Sequence, residues 1–119
     1  MRKKINVGLI GAVRLGTMYA DFLTTRVTGA NLVAVADIVP ERATKCSERF
    51  GIDKAYFSHQ EINSDKNLAA VIVTATTANH KEIVLDAAAK SKPIFCEKPM
   101  TWSRKDAREM KAAIEKRGV

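Results

Sequence analysis

The sequence has few aromatic residues and no long apolar run, and each absence excludes a class of partner. Aromatic residues make up 6% of the 119 residues and do not alternate with the basic ones, so a base-stacking surface is not expected. No apolar run approaches the length of a membrane span, and the basic start at 1–4 leads into a predicted strand rather than a signal-peptide core. We therefore expect neither nucleic acid nor a membrane as a partner.

Disulfide and metal patterns are also missing. Cys46 and Cys96 lie far apart and form no C-x-x-C pair, which is typical of reduced, buried thiols in a cytoplasmic protein. His59 and His80 fall in no metal-ligand spacing, so no metal site is predicted.

The chain does carry a formal net charge of +7. Its basic residues are spread over the termini and the predicted helix faces, and most have acidic neighbours, which is typical of solvated helices. We expect this charge to attract a polyanionic cofactor over long range.

Strand and helix patterns alternate along the whole chain. The predicted strands are 5–10, 32–36, 55–57, 69–74 and 93–96. This order predicts an α/β fold, a doubly wound and mostly parallel sheet of the Rossmann type with helices on both faces. The length and the 46% hydrophobic content allow one domain, residues 1–119.

The helices can be placed by their apolar spacing and their capping residues. The first is expected to begin near Arg14 and to bury Leu15, Met18 and Phe22, which recur at helical spacing. The later helices are expected to start at Pro40, Ser58, Asn79 and Ser103, and two of them to end at Gly51 and Gly118.

The most informative feature is a glycine turn between the first strand and the first helix. Its residues are Gly11, Ala12, Val13, Arg14, Leu15 and Gly16. Such a turn presents backbone N–H groups and a positive helix end to a pyrophosphate. Asp37 follows about 20 residues later, at the end of the second strand, where an acid has little packing role and can bind an adenosine ribose. Together they predict dinucleotide binding.

One part of the G-x-G-x-x-G pattern is absent, because Val13 replaces the middle glycine. A branched side chain occupies the space in which the backbone would approach the pyrophosphate. Either the loop widens and reaches the phosphates through water, or the cofactor binds more weakly than usual. A plain βαβ turn with no ligand is the remaining alternative.

We expect NAD rather than NADP as the cofactor. Asp37 would accept hydrogen bonds from both ribose hydroxyls and would repel a 2′-phosphate. Arg42 is the nearby group that would weaken this preference.

Two further segments follow strands that should end at the same crevice, namely 74–80 and Glu97-Lys98-Pro99. An acid and a lysine directly after a buried strand are costly to place unless they meet a polar group. The second segment is therefore a candidate site.

The runs Val71–Thr74, His80 and Ile94–Pro99 resemble the N-terminal domain of the glucose–fructose oxidoreductase, inositol dehydrogenase and rhizopine-catabolism (Gfo/Idh/MocA) family. The resemblance covers the whole chain, and 28–37 and 93–99 look most like the inositol dehydrogenases of that family.

The resemblance implies a role for each matching residue. Residues 11–16 would hold the pyrophosphate of NAD, and Asp37 the adenosine ribose. The middle of the cofactor would be lined by Thr74, Ala75, Thr77 and His80, although a histidine at a helix start is also often a local hydrogen-bonding residue. Glu97 would contact the nicotinamide ribose, and Lys98 would reach both nicotinamide and substrate. Lys98 would be the catalytic residue, because oxidising an alcohol requires its hydroxyl proton to leave; the alternative is a surface lysine in a salt bridge with Glu97.

The resemblance implies an NAD-dependent dehydrogenase that removes hydride from a hydroxyl-bearing carbon of a sugar or polyol. The family's other catalytic groups, an Asp and a His, belong to a C-terminal substrate domain absent from residues 1–119. We therefore expect a fragment that is inactive alone, from a full-length homo-oligomer. The alternative is a non-catalytic nucleotide-binding or sensing module of the same fold, which the loss of the middle glycine favours.

Overall fold

The computed structural model describes residues 4–96 and 103–118. Within them, five strands and five helices alternate along the chain. Their bounds are β1 (Ile5–Ile10), α1 (Arg14–Thr25), β2 (Ala30–Ala36), α2 (Pro40–Phe50), β3 (Lys54–Tyr56), α3 (His59–Asn63), β4 (Ala70–Val73), α4 (Thr77–Ala89), β5 (Ile94–Cys96) and α5 (Arg104–Arg117).

The five strands form one parallel sheet in the order β3-β2-β1-β4-β5. The chain runs outward from β1 through β2 to β3 and then returns to the other side of β1 for β4 and β5. This reversal creates a crevice at the carboxyl ends of β1, β2 and β4. The predicted doubly wound α/β fold is confirmed.

Each face of the sheet buries its own apolar cluster, because successive strand residues point to opposite faces. Leu9 packs with Cys46 of α2 on the face that α1 and α2 cover. Ile10 packs with Ile62 of α3 and Ile83 of α4 on the other face. Helices therefore lie on both faces, as predicted, and α5 packs against α4.

Several predicted helix ends are confirmed. The hydroxyl of Ser58 accepts a hydrogen bond from a first-turn backbone N–H at 3.2 Å, and that of Ser103 does the same at 3.3 Å. Gly51 and Gly118 end α2 and α5 in the left-handed conformation.

The predicted buried face of α1 is wrong. Leu15, Met18 and Phe22 are exposed, and Gly16 and Ala20 face the sheet instead. Small residues on this face let the helix approach the strands closely, which turns the larger side chains outward. Part of that apolar surface borders a groove beside β4 and β5, lined by Tyr19, Phe22, Leu23, Val27, Ile72 and Phe95.

The predicted start of α4 is also wrong. The helix begins at Thr77, with Thr76 in an extended conformation at the N-cap. Asn79 lies inside the first turn, and its side-chain amide donates to the Thr76 hydroxyl at 3.0 Å. Its side chain thus bonds locally, which is the competing use of Asn near helix starts.

Candidate functional site

A cavity of about 330 Å³ opens at the carboxyl ends of β1, β2 and β4. Its lining residues are Ile10, Gly11, Val13, Ala36, Asp37, Ile38, Arg42, His59, Ala75, Thr76, Asn79, Glu82 and Ile83. The cavity therefore lies at the reversal of strand order, where open α/β sheets bind their ligands.

The two glycines of the turn, at its first and last positions, are required by the protein's own packing. Gly11 has a φ of 107°, and a Cβ there would lie 2.5 Å from the backbone nitrogen of Ala75. A Cβ on Gly16 would lie 1.8 Å from the carbonyl oxygen of Gly11. The same oxygen accepts a hydrogen bond from the Thr74 hydroxyl at 2.8 Å. Thr74 and Gly16 therefore hold the Gly11 peptide between them.

The middle position of the turn imposes no such demand. Val13 has φ −88° and ψ −164°, an extended conformation that any residue adopts. Val13 is one of the residues that line the cavity. A glycine here would relieve no backbone strain, and would only enlarge the space next to a bound ligand.

The N-terminus of α1 is suited to an anion. Val13 provides no side-chain cap, and the first turn contains no acidic residue. The first helical hydrogen bond runs from Thr17 N–H to Val13 O at 2.8 Å, so the N–H groups of 14–16 precede the helical ladder. The exposed Arg14 adds a positive charge to the positive end of the helix dipole. A pyrophosphate fits this arrangement.

Asp37 lies on the cavity wall and also ties two loops together. Its carboxylate accepts from the N–H of Ala12 at 2.8 Å and from that of Val39 at 2.9 Å. The guanidinium of Arg42 lies 4.0 Å away, and the Asp37 side chain is only 6% exposed. The expectation that this acid has little packing role is therefore wrong. Each carboxylate oxygen retains a second lone pair with which a ribose hydroxyl can bond.

The other predicted site residues lie in different places in the structure. Ala75 lies on the cavity wall, and Thr77 is the first residue of α4. Thr74 and His80 are buried beneath the wall, with 3% and 2% exposure. Glu97 and Lys98 lie outside the described residues, as does the rest of the Glu-Lys-Pro segment.

Several residues of the cavity wall lie outside the predicted site, among them Ile38 and His59. Ile38 directly follows Asp37, and His59 follows β3 at the start of α3. Both come after the carboxyl end of a parallel strand, which is the signal that would have identified them. Arg42, in the first turn of α2, lines the same cavity.

Comparison with known proteins decides which family this is. The model of the oxidoreductase family GFO_IDH_MocA, NAD-binding Rossmann fold, matches residues 5–119. The chain belongs to this family. It is the NAD-binding Rossmann domain, and the predicted family and cofactor are both confirmed.

The most similar relatives include two inositol dehydrogenases. The chain is 34% identical to the myo-inositol 2-dehydrogenase of Thermotoga maritima over 115 residues, 97% of this chain and 34% of the relative. It is 33% identical to the scyllo-inositol 2-dehydrogenase (NAD(+)) of Bacillus subtilis over 119 residues, 100% of this chain and 35% of the relative. The domain thus spans about a third of the length of these relatives.

Solved structures agree with this assignment. A probable dehydrogenase from Thermotoga maritima superposes with a TM-score of 0.92 at 34% identity, covering 97% of this chain and 34% of that one. The myo-inositol dehydrogenase of Lactobacillus casei, in complex with NAD(H) and myo-inositol, gives a TM-score of 0.91 at 30% identity. Coverage is 96% of this chain and 34% of that one.

Proposed function

We propose that this domain is the cofactor-binding part of a longer dehydrogenase that oxidises a secondary alcohol of a polyol, with inositol as the model substrate. The support is that the similar relatives are inositol dehydrogenases about three times as long as this domain. A substrate domain outside residues 1–119 would supply the remaining catalytic groups. The observation that carries the cofactor role is Asp37 on the wall of a cavity faced by an uncapped helix end.

The parts of the cofactor would be bound by residues that follow four different strands. Asp37, at the end of β2, would bind the adenosine ribose, and the start of α1 after β1 would bind the pyrophosphate. Residues 75–77 after β4 would face the nicotinamide half, as would Glu97 after β5, and Thr74 would support the glycine turn from beneath. NAD, when bound, supplies the acceptor for the hydride.

Lys98 would be the residue that handles the substrate proton. A neutral amine beside the hydroxyl would accept its proton as hydride passes to NAD, whereas an ammonium there would stabilise the charge that develops on oxygen while the proton leaves to water. Positioning groups outside this domain supply much of the rate, so we expect residues 1–119 alone to bind NAD without oxidising inositol. In the longer enzyme, Lys98→Ala should lower kcat far more than it changes the Kd for NAD. An unchanged kcat would contradict this role.

The cofactor preference can be tested on the domain itself. Because Asp37 also holds two backbone N–H groups, its replacement weakens the site for both cofactors, and the informative quantity is the ratio of their affinities. We expect wild type to bind NAD⁺ more tightly than NADP⁺, and both Asp37→Asn and Asp37→Ala to reduce that ratio by removing the charge that repels a 2′-phosphate. Titration calorimetry measures it. Tighter NADP⁺ binding by wild type, or an unchanged ratio in both variants, would contradict the assignment.

A non-catalytic nucleotide-binding module remains the second candidate, and Val13 on the cavity wall favours it. The experiment that separates the two is hydride transfer from inositol to NAD⁺ by the longer enzyme. Absence of transfer together with retained NAD⁺ binding would favour the module.

The cellular setting is proposed from the same chain. Cys46 and Cys96 both lie in the described part of the chain and form no disulfide there, which fits a reducing compartment, and we place the enzyme in the cytoplasm as a homo-oligomer without nucleic acid or membrane partners. Across residues 4–96 and 103–118, no helix combines the length and apolarity needed to cross a membrane.

A further inference from the structure

His80 makes contacts that its predicted place along the cofactor does not explain. The ring lies in the first turns of α4, is 2% exposed and is not on the cavity wall. Its Nε2 lies 2.7 Å from the carbonyl oxygen of Ala75, and its Nδ1 lies 3.4 Å from Sγ of Cys96. Ala75 follows β4 and Cys96 ends β5, so the ring bridges the carboxyl ends of two neighbouring strands.

The two contacts determine which ring nitrogen carries the proton. A carbonyl oxygen only accepts hydrogen bonds, so Nε2 must be protonated to bond to Ala75. In the neutral ring Nδ1 is then an acceptor, and the thiol of Cys96 is the donor.

The bond to Ala75 also determines the direction of the next N–H group. The carbonyl and N–H of a trans peptide point in opposite directions. Holding the Ala75 carbonyl on the buried ring therefore turns the N–H of Thr76 away from the ring, and Thr76 lies on the cavity wall. The Ala75 backbone also contacts the glycine turn, because a Cβ on Gly11 would lie 2.5 Å from the Ala75 nitrogen.

We propose that His80 is a positioning residue for the nicotinamide half of NAD, acting through the Ala75 peptide. This rests on the proposed function, in which the dinucleotide runs from Asp37 at β2, across the start of α1, to the ends of β4 and β5. The ring fixes the peptide that faces the far end of that path, so that the Thr76 N–H is presented to the cofactor without rearrangement. It touches no cofactor atom itself.

The test compares NAD⁺ with ADP, which lacks the nicotinamide riboside. Two amide variants form a matched pair, because the Gln amide nitrogen reaches the position of Nε2 and the shorter Asn amide does not. We expect His80→Gln to keep the wild-type ratio of NAD⁺ to ADP affinity in the 119-residue chain. His80→Asn should lower NAD⁺ affinity about tenfold, because it loses one hydrogen bond, and should leave ADP affinity little changed.

A purely structural role would weaken both ligands equally, and thermal melts monitor folding in parallel. Equal losses for NAD⁺ and ADP in His80→Asn, or a wild-type ratio in that variant, would overturn the proposal. If the Asn variant does not fold, the Gln variant decides, since a folded Gln variant that loses the ratio overturns it and one that keeps the ratio supports it. Imidazole ¹⁵N shifts give an independent readout, because a ring protonated at Nδ1 alone is incompatible with the bond to Ala75.

The same titration distinguishes this proposal from the function on which it rests. Failure of the unmodified chain to bind either ligand would contradict the proposed function. Binding of both with equal affinity would leave the adenosine and pyrophosphate sites intact and would overturn the role of His80 alone.

Discussion

Replacing Val13 by glycine should strengthen NAD binding and weaken the fold at the same time. Val13 lines the cavity and is the N-cap of α1, directly before the N–H groups that precede the helical ladder. Removal of its side chain allows a pyrophosphate to approach those groups. The backbone at Val13 is extended, so the fold gains nothing from a glycine there.

The two effects have magnitudes that can be separated. A glycine in a position that valine adopts without strain costs about 0.5–1 kcal/mol of unfolding free energy, because the unfolded chain gains freedom. A new hydrogen bond between an N–H and a charged phosphate oxygen contributes about 1.5–3 kcal/mol. The Kd for NAD should therefore fall about tenfold or more.

Val39→Gly is the matched control. Val39 is the N-cap of α2, with φ −93° and ψ 106° and no side-chain cap, and it is absent from the cavity wall. It should show a similar loss of unfolding free energy in urea without a gain in affinity. NAD affinity is measured by calorimetric titration of the folded variants.

Unchanged or weaker NAD affinity in Val13→Gly would refute this reasoning. It would mean that the turn contacts the phosphates in another geometry, or that no pyrophosphate binds there. An equal gain in Val39→Gly would show that flexibility, rather than space beside the ligand, controls the affinity.

Two further predictions concern stability. Gly16→Ala would place a Cβ 1.8 Å from the Gly11 oxygen, and this overlap should outweigh the helix propensity of alanine. Urea unfolding should show that Gly16→Ala loses about 2 kcal/mol of unfolding free energy. Gly29→Ala is the control, because its Cβ meets nothing within 4 Å and its unfolding free energy should change little. A Gly16→Ala variant as stable as wild type would contradict the close packing. Burial alone would raise the pKa of Asp65, but hydrogen bonds from Tyr56 (2.7 Å), a backbone N–H and a lysine outweigh it and hold that pKa below its usual value. Ionised Asp65 therefore stabilises the folded state above about pH 4, and this contribution is lost as the pH falls through the folded pKa. Asp65→Asn should make the free energy of unfolding depend less steeply on pH in acid. An unchanged pH dependence in this variant would refute the assignment.

The local signals in the sequence were sufficient for the fold. Alternating strands and helices, the caps at Ser58 and Ser103, and the helix ends at Gly51 and Gly118 depend on neighbouring residues, which the sequence displays directly. The glycine turn and Asp37 identified the cofactor for the same reason, since their spacing within one βαβ unit determines where they meet.

The tertiary structure decided what depends on distant partners. The fully buried residues of α1 are Gly16 and Ala20 because the sheet determines how closely the helix approaches, and apolar periodicity cannot report that distance. Asp37 holds the N–H of Ala12, and His80 holds the carbonyl of Ala75 and the thiol of Cys96, because the order of strands brings separate segments together at one edge. The sequence by itself therefore determined the elements and the cofactor class, whereas only the packed sheet decided which residues form the wall of the cavity and which support it from beneath.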